Sequence, residues 1–194
     1  MKNLQLVIVL VTVILFMAIF VPKTSAHPSC KSYGESYGYW IDCKNHQADK
    51  YFTYNTAKSM ETDYVVYVTM GAARWNSTGV VSISRIYPAS PDYNGYIHTY
   101  TDRNTDVVAA FYNYDHDSSG HLTKWSVRMN KTIMDKRSHE QNRITMAHEF
   151  GHAIGLNDLE ASYNRNKLMY GYSNRTASSP TSKDIEGAKQ ILSH

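Results

Sequence analysis

The sequence has little charge imbalance and no repeated units. It contains 20 lysine and arginine residues against 17 acidic residues, and the two signs are mixed along the chain. This balance argues against nucleic acid or an anionic membrane surface as a partner. Internal repeats and low-complexity runs are also missing, so nothing divides the chain into modules. The simplest organisation is one domain.

Long apolar runs are lacking except at the amino terminus. Lys2 precedes an apolar segment from Leu4 to Val21, and small residues follow at positions 24–26. This order is typical of a secretory signal peptide, so we predict that residues 1–26 are removed and that the protein is secreted and extracellular. Because 18 apolar residues almost span a bilayer, an uncleaved membrane anchor through residues 4–21 is the alternative.

Cysteine is scarce, and both cysteines follow the predicted cleavage site closely. In an exported protein, Cys30 and Cys43 are expected to form one disulfide, which would pin the N-terminal segment, residues 27–50. Residues 51–194 would then form the main domain, and the processed chain has a net charge near +1 and enough length for a core. We expect a monomer.

Hydrophobic patterning predicts an α+β fold for the main domain. The expected order is strand, helix, three strands, helix, irregular segment and helix. The predicted strands are Tyr51–Thr56, Val80–Ile86, Asp106–Tyr114 and Leu122–Asn130. The predicted helices are Glu61–Asn76 with Thr62 or Asp63 as its cap, one that starts at Ser138 with a capping box to Gln141, and Lys183–Leu192. Residues 87–102 are expected to form a loop.

The turn between the last two predicted strands, DHDSSGH, allows two interpretations. Asp115, Asp117 and Gly120 loosely resemble a calcium-binding loop. The later ligands and the flanking helices of an EF-hand are missing, so a polar hairpin turn is favoured. A structural Ca²⁺ ion therefore has no further support.

The most informative segment is HEFGHAIGLND near the carboxyl end. On a helix, His148 and His152 lie one turn apart on the same face, so both imidazoles can reach one metal ion. Glu149 is rotated by roughly 100° from His148, which places it beside the metal, where it can accept a proton from a metal-bound water. Taken alone, this pattern also occurs on helices that bind no metal.

Two residues further along strengthen the prediction of a metal site. Gly155 tolerates positive φ and can end the helix. The chain can then turn back and offer Asp158, six residues beyond His152, as a third ligand. The alternative for Asp158 is a turn carboxylate that bonds its own backbone.

With these residues identified, the chain resembles the metzincin zinc metallopeptidases, whose signature is HExxHxxGxxH or HExxHxxGxxD. The aspartate form is that of snapalysin-like enzymes, and HEFGHAIGL is close to the active-site helix of matrixins. Met169 in KLMYGY matches the Met-turn of that family, and SPTSKDIEGAKQIL resembles its C-terminal helix. The resemblance covers residues 51–194 and implies a mixed, twisted sheet above an active-site helix.

The resemblance also implies a function and a role for each residue. It implies a secreted endopeptidase in which His148, His152 and Asp158 hold one catalytic Zn²⁺. Glu149 would act as general base on the zinc-bound water, and Met169 would support the metal site from below. The expected partner is an extended peptide or protein substrate, with no nucleic acid and no membrane contact after signal cleavage.

The remaining expectations concern the substrate and a possible loss of activity. The strand Leu122–Asn130 is expected to be the sheet edge with which the substrate pairs. Astacin-like members carry a tyrosine two residues after the methionine, where this chain has Gly171, so Tyr170 and Tyr172 are the neighbouring candidates. The alternative function is a catalytically inactive exported binding or adhesion protein, which Glu149 disfavours because a general base has no structural purpose there.

Overall fold

The structure is a computed structural model of the chain, and it describes residues 30–86 and 92–193. The predicted signal peptide and the alternative anchor through residues 4–21 lie outside the described residues. Within the described part of the chain, no helix combines the length and the apolar character needed to cross a membrane. The predicted division into residues 1–26, 27–50 and 51–194 stays a prediction.

The N-terminal segment is a small structured unit closed by a disulfide. Strands β1 (Tyr33–Gly34) and β2 (Tyr39–Trp40) pair antiparallel around a short 3₁₀ helix, Glu35–Tyr37. The Cys30–Cys43 disulfide is confirmed. Such a bond is typical of proteins from oxidising compartments.

A five-stranded mixed sheet forms the centre of the fold. Its strands are β3 (Tyr51–Thr56), β4 (Ser82–Arg85), β5 (Gly95–Tyr100), β6 (Ala109–His116) and β7 (Leu122–Asn130). Their spatial order is β4-β3-β5-β7-β6, and all neighbours run parallel except β6, which is antiparallel to β7. The α+β class and the mixed sheet are confirmed.

Strand β5 was missed because its sequence has the marks of a loop. It lies inside the stretch 87–102, which was predicted to be a loop because it is rich in proline, tyrosine, asparagine and glycine. A Cβ at Gly95 would lie 2.2 Å from the ring of Trp125, so glycine is required there by the close approach of β7. Ile97 is the one large apolar residue of β5 that is fully buried. A single buried apolar residue gives no alternation of apolar and polar residues from which a strand could be predicted.

The prediction that β7 is the sheet edge was wrong. β7 pairs with β5 on one side and with β6 on the other, so its backbone is used by both neighbours. β6 is the edge strand, and its turn to β7 is the predicted hairpin. The carboxylate of Asp117 accepts hydrogen bonds from the backbone N–H groups of Ser119 and His121 at 2.8 and 3.0 Å, as expected of a turn aspartate.

Four helices complete the described structure: α1 (Thr62–Asn76), α2 (Lys131–Met134), α3 (His139–Ile154) and α4 (Ser182–Ile191). The predicted capping box of α3 is confirmed, since Ser138 Oγ accepts from Gln141 N and Gln141 Oε1 accepts from Ser138 N. The predicted cap of α1 was wrong, because Glu61 occupies the N-cap position without a side-chain bond. The short helix α2 and the 3₁₀ helix Ser162–Asn164 were not predicted.

Helices α1 and α3 pack against each other under the sheet. A Cβ at Gly71 would lie 2.7 Å from the backbone of Met146, so this glycine of α1 permits close contact with α3. Trp75 also donates a hydrogen bond from Nε1 to the Ala147 carbonyl at 2.8 Å. On the sheet side, Phe150 contacts the ring of Tyr54 edge to face. These contacts fix the helix that carries the candidate site.

Candidate metal centre

The structure brings His148, His152 and Asp158 together. The two histidine Nε2 atoms lie 3.2 Å apart, and Asp158 Oδ1 lies 3.0 Å from Nε2 of His148 and 3.6 Å from that of His152. Gly155 ends α3 with a φ of 124°, which turns the chain back as the sequence predicted. These three residues form a group that could hold a metal ion.

Backbone carbonyl groups orient both imidazoles. Nδ1 of His148 lies 3.0 Å from the Leu168 carbonyl oxygen, and Nδ1 of His152 lies 2.7 Å from that of Leu156. A carbonyl oxygen only accepts hydrogen bonds, so each Nδ1 carries the proton and each neutral ring presents a lone pair at Nε2. Burial lowers the pKa of His148 to about 4, and the charge of Arg175 acts in the same direction, so this imidazole stays neutral at neutral pH.

The converging atoms fit a metal cation. Oδ1 of Asp158 is buried and accepts no hydrogen bond from the described residues, although it lies 3.0 Å from His148 Nε2. Two nitrogen lone pairs and a carboxylate oxygen therefore face one another with no proton between them. These electron-rich atoms repel one another, and a cation bound between them would attract all three. Two histidines with one carboxylate are a ligand set known for zinc.

Glu149 lies next to the triad but outside it. Its side chain lines the cavity beside the histidines, the residue is 4 % exposed, and Oε2 accepts no hydrogen bond from the described residues. Burial raises the pKa of Glu149 to about 7, against the opposing charges of His152 and Arg175. A buried carboxylate without a partner is costly for folding, and such groups concentrate at functional sites.

Met169 packs directly against the helix that carries the histidines. A Cβ at Gly151 would lie 2.2 Å from the sulfur atom of Met169, so the Met169 thioether touches the backbone of α3 just before His152. Met169 is 1 % exposed. In this position Met169 can support the helix that carries the two histidines. That it supports a catalytic metal ion stays a prediction.

Asp184, which was not predicted to be a functional residue, holds the segment that contains Met169. The carboxylate of Asp184 is fully buried and accepts hydrogen bonds from the backbone N–H groups of Leu168 and Met169, both at 3.1 Å. It also accepts from the backbone N–H and the hydroxyl of Thr181 at 2.7 and 2.6 Å. The capping box between Thr181 and Asp184 was the available signal, but it indicates only a helix start.

A cavity of about 620 Å³ opens beside the triad, which is the size of a typical ligand pocket. One wall is formed by residues 106–111, from the start of edge strand β6 and the segment before it. The lining also includes residues of the loop that follows Met169, namely Gly171, Tyr172, Ser173 and Arg175. Of the two candidate tyrosines, Tyr172 lines the cavity, whereas Tyr170 is 6 % exposed and is not among the lining residues.

Comparison with known proteins adds no family assignment. A scan against known protein families finds no match, and a search of curated proteins finds no similar sequence.

Proposed function

We propose that this chain is a secreted, zinc-dependent endopeptidase with a matrixin-like metzincin fold. The observation that carries the proposal is the convergence of His148 Nε2, His152 Nε2 and Asp158 Oδ1 beside the unpaired carboxylate of Glu149. Three metal-ligating atoms, a candidate general base and a substrate-sized cavity at one place are the parts that metal-assisted hydrolysis requires.

The donor set supports zinc as the metal. Catalytic zinc sites use three protein ligands from histidine and carboxylate side chains and keep one further position for water or substrate. When bound, the ion lowers the pKa of a water molecule and polarises the carbonyl group of the scissile bond. The hydrogen bonds of His148 and His152 to backbone carbonyls hold both rings in the orientation and tautomer that ligation needs.

Glu149 is proposed to move the proton during hydrolysis. Its carboxylate accepts a proton from the attacking water and then donates it to the nitrogen of the leaving amine. A pKa raised toward neutrality by burial suits a group that must both take up and release a proton. A cation at the triad would lower this pKa and so favour the ionised, proton-accepting form.

The edge strand supports an extended peptide as the substrate. β6 pairs only with β7 among the described residues, so the other side of its backbone is free to pair. The first residues of β6 line the same cavity as Glu149 and Tyr172. A peptide added along this edge would cross the cavity in front of Glu149.

Replacing Glu149 by glutamine tests the proposal. Purified Glu149→Gln protein should keep about one equivalent of zinc and lose casein hydrolysis by roughly 100-fold or more, because the amide cannot accept the proton. Glu140→Gln is the matched control, since Glu140 lies on the same helix with its side chain 52 % exposed. Undiminished hydrolysis by zinc-loaded Glu149→Gln protein would overturn the mechanism. A zinc-loaded native protein without hydrolysis would favour an exported binding protein.

A further inference from the structure

Arg175 lines the same cavity but has no role in the proposed hydrolysis. Its Nε donates a hydrogen bond to the Tyr170 carbonyl at 2.9 Å, which fixes the side chain against the loop. Burial lowers the pKa of Arg175, and the charges of Glu149 and Asp158 raise it, so the guanidinium lies within electrostatic reach of the candidate metal centre. Arginine remains charged in proteins, so the cavity wall carries a permanent positive charge.

This guanidinium forms no salt bridge among the described residues. Its side-chain hydrogen bond is to a backbone carbonyl, and the carboxylates of Glu149, Asp158 and Asp184 act on it only through their charge. The nearby carboxylate of Asp184 is already used by two backbone N–H groups and by Thr181. The terminal nitrogen atoms of Arg175 are therefore available to an anionic group that enters the cavity.

A second arginine adds positive charge behind the cavity wall. Arg137 donates from Nη2 to Thr145 Oγ1 at 3.1 Å and from Nη1 to Ser173 Oγ at 3.3 Å. Thr145 and Ser173 both line the cavity, and Thr145 lies one helical turn before Glu149 on α3. The cavity thus extends from the triad along α3 to Thr145, near the guanidinium groups of Arg137 and Arg175.

The unpaired guanidinium of Arg175 then favours an acidic ligand. Asp106, Glu149 and Asp158 also line the cavity and Asp184 acts on Arg175 through its charge, but none of these carboxylates forms a salt bridge with it. An aspartate or glutamate side chain of a bound peptide would form one, because a planar guanidinium binds a carboxylate through two parallel hydrogen bonds.

We propose that Arg175 is a specificity-determining residue that binds an acidic side chain adjacent to the scissile bond. The preferred substrates are then acidic segments of extended peptides. This inference rests on the proposed peptidase function, and Arg137 acts as a positioning residue that holds the hydroxyl groups of Thr145 and Ser173.

The test uses the zinc-loaded protein and a peptide mixture of varied sequence. Mass spectrometry of the products should show aspartate and glutamate enriched at one position beside the cleaved bond. For a matched pair of fluorogenic peptides with glutamate or glutamine at that position, kcat/KM should differ by about tenfold or more. Arg175→Gln should abolish this difference, and Arg175→Lys should keep part of it because the positive charge remains.

Two further measurements separate specificity from folding and turnover. Arg165→Gln is the matched control, because Arg165 also bonds a loop carbonyl through Nε, at 2.7 Å, but is exposed and does not line the cavity. This variant should keep the preference. In the Glu149→Gln background, the glutamate peptide should bind about tenfold more tightly than the glutamine peptide, and adding Arg175→Gln should make the two affinities equal. Thermal unfolding checks that each variant is folded.

The outcomes distinguish this inference from the proposed function. Hydrolysis without an acidic preference, or a preference that persists in folded Arg175→Gln protein, would overturn the inference and leave the peptidase proposal intact. Absence of hydrolysis in zinc-loaded native protein would overturn the peptidase proposal. Equal binding of both peptides in the Glu149→Gln background would overturn the assigned role of Arg175 independently of turnover.

Discussion

The Leu168 carbonyl oxygen lies 3.0 Å from Nδ1 of His148 and thereby fixes the ring that faces the candidate metal position. Leu168 is itself held by Asp184, whose carboxylate accepts hydrogen bonds from the backbone N–H groups of Leu168 and Met169. A buried carboxylate on α4 thus orients a histidine on α3 through one backbone segment. Outer partners of this kind commonly affect metal affinity by 10–100-fold.

Replacing Asp184 by asparagine should therefore weaken both folding and metal binding. The amide has one acceptor oxygen in place of two, and it loses the charge that strengthens these bonds, so we expect a destabilisation of about 3 kcal/mol. Zinc affinity, measured by competition with a chromogenic chelator, should fall roughly tenfold or more. Glu186→Gln is the control, because Glu186 lies on the same helix with its side chain 45 % exposed. Native zinc affinity in folded Asp184→Asn protein would show that the Leu168 carbonyl does not depend on Asp184.

The local features of the site could be predicted from sequence because they depend on short spacings. His148 and His152 are four residues apart on a helix, and Gly155 needs only its own backbone freedom to turn the chain toward Asp158. These residues took the expected positions. The capping box at Ser138 was predictable for the same reason.

The parts that were missed depend on contacts between distant segments. Gly95 lies in the stretch that was predicted to be a loop, although the ring of Trp125 on β7 is what requires a glycine there. β7 is not an edge strand because β5 pairs with it on the side away from β6. This pairing joins distant segments and leaves no local pattern in the sequence. Arg175 is one of many charged residues in the sequence, and only the fold shows that it lines the cavity.

Removing Asp158 should separate metal binding from folding. Asp158→Ala deletes the carboxylate oxygen that lies within 3.6 Å of both histidine Nε2 atoms, so zinc should bind much more weakly. Zinc at about 100 times its dissociation constant stabilises a folded protein by about 2.7 kcal/mol, which should raise the Tm of the native protein by several degrees. The same zinc concentration should leave the Tm of Asp158→Ala nearly unchanged.

The neighbouring Glu160→Ala variant is the control for this measurement, because Glu160 is exposed and lies outside the group of potential ligands. Its zinc-dependent rise in Tm should match that of the native protein. An equal rise in Asp158→Ala would place the third ligand elsewhere.

The disulfide should influence the metal site through the turn that carries Asp158. Asp42 N donates to the Gly155 carbonyl at 2.8 Å, and Asn157 N donates to the Trp40 carbonyl at 2.8 Å, so the N-terminal segment brackets this turn. The Cys30–Cys43 bond closes that segment over a sequence separation of 13 residues. Replacing both cysteines by serine should destabilise the protein by about 3 kcal/mol in the loop-closure description.

Because the same turn supplies the Leu156 carbonyl that orients His152, zinc affinity of the double serine variant should also fall. The measurement compares chelator competition and thermal unfolding for the variant and for the oxidised native protein at a temperature where both are folded. A variant that is destabilised but binds zinc with native affinity would show that the turn holds Asp158 without the N-terminal segment. A parallel loss of both properties would establish that segment as part of the support of the metal site.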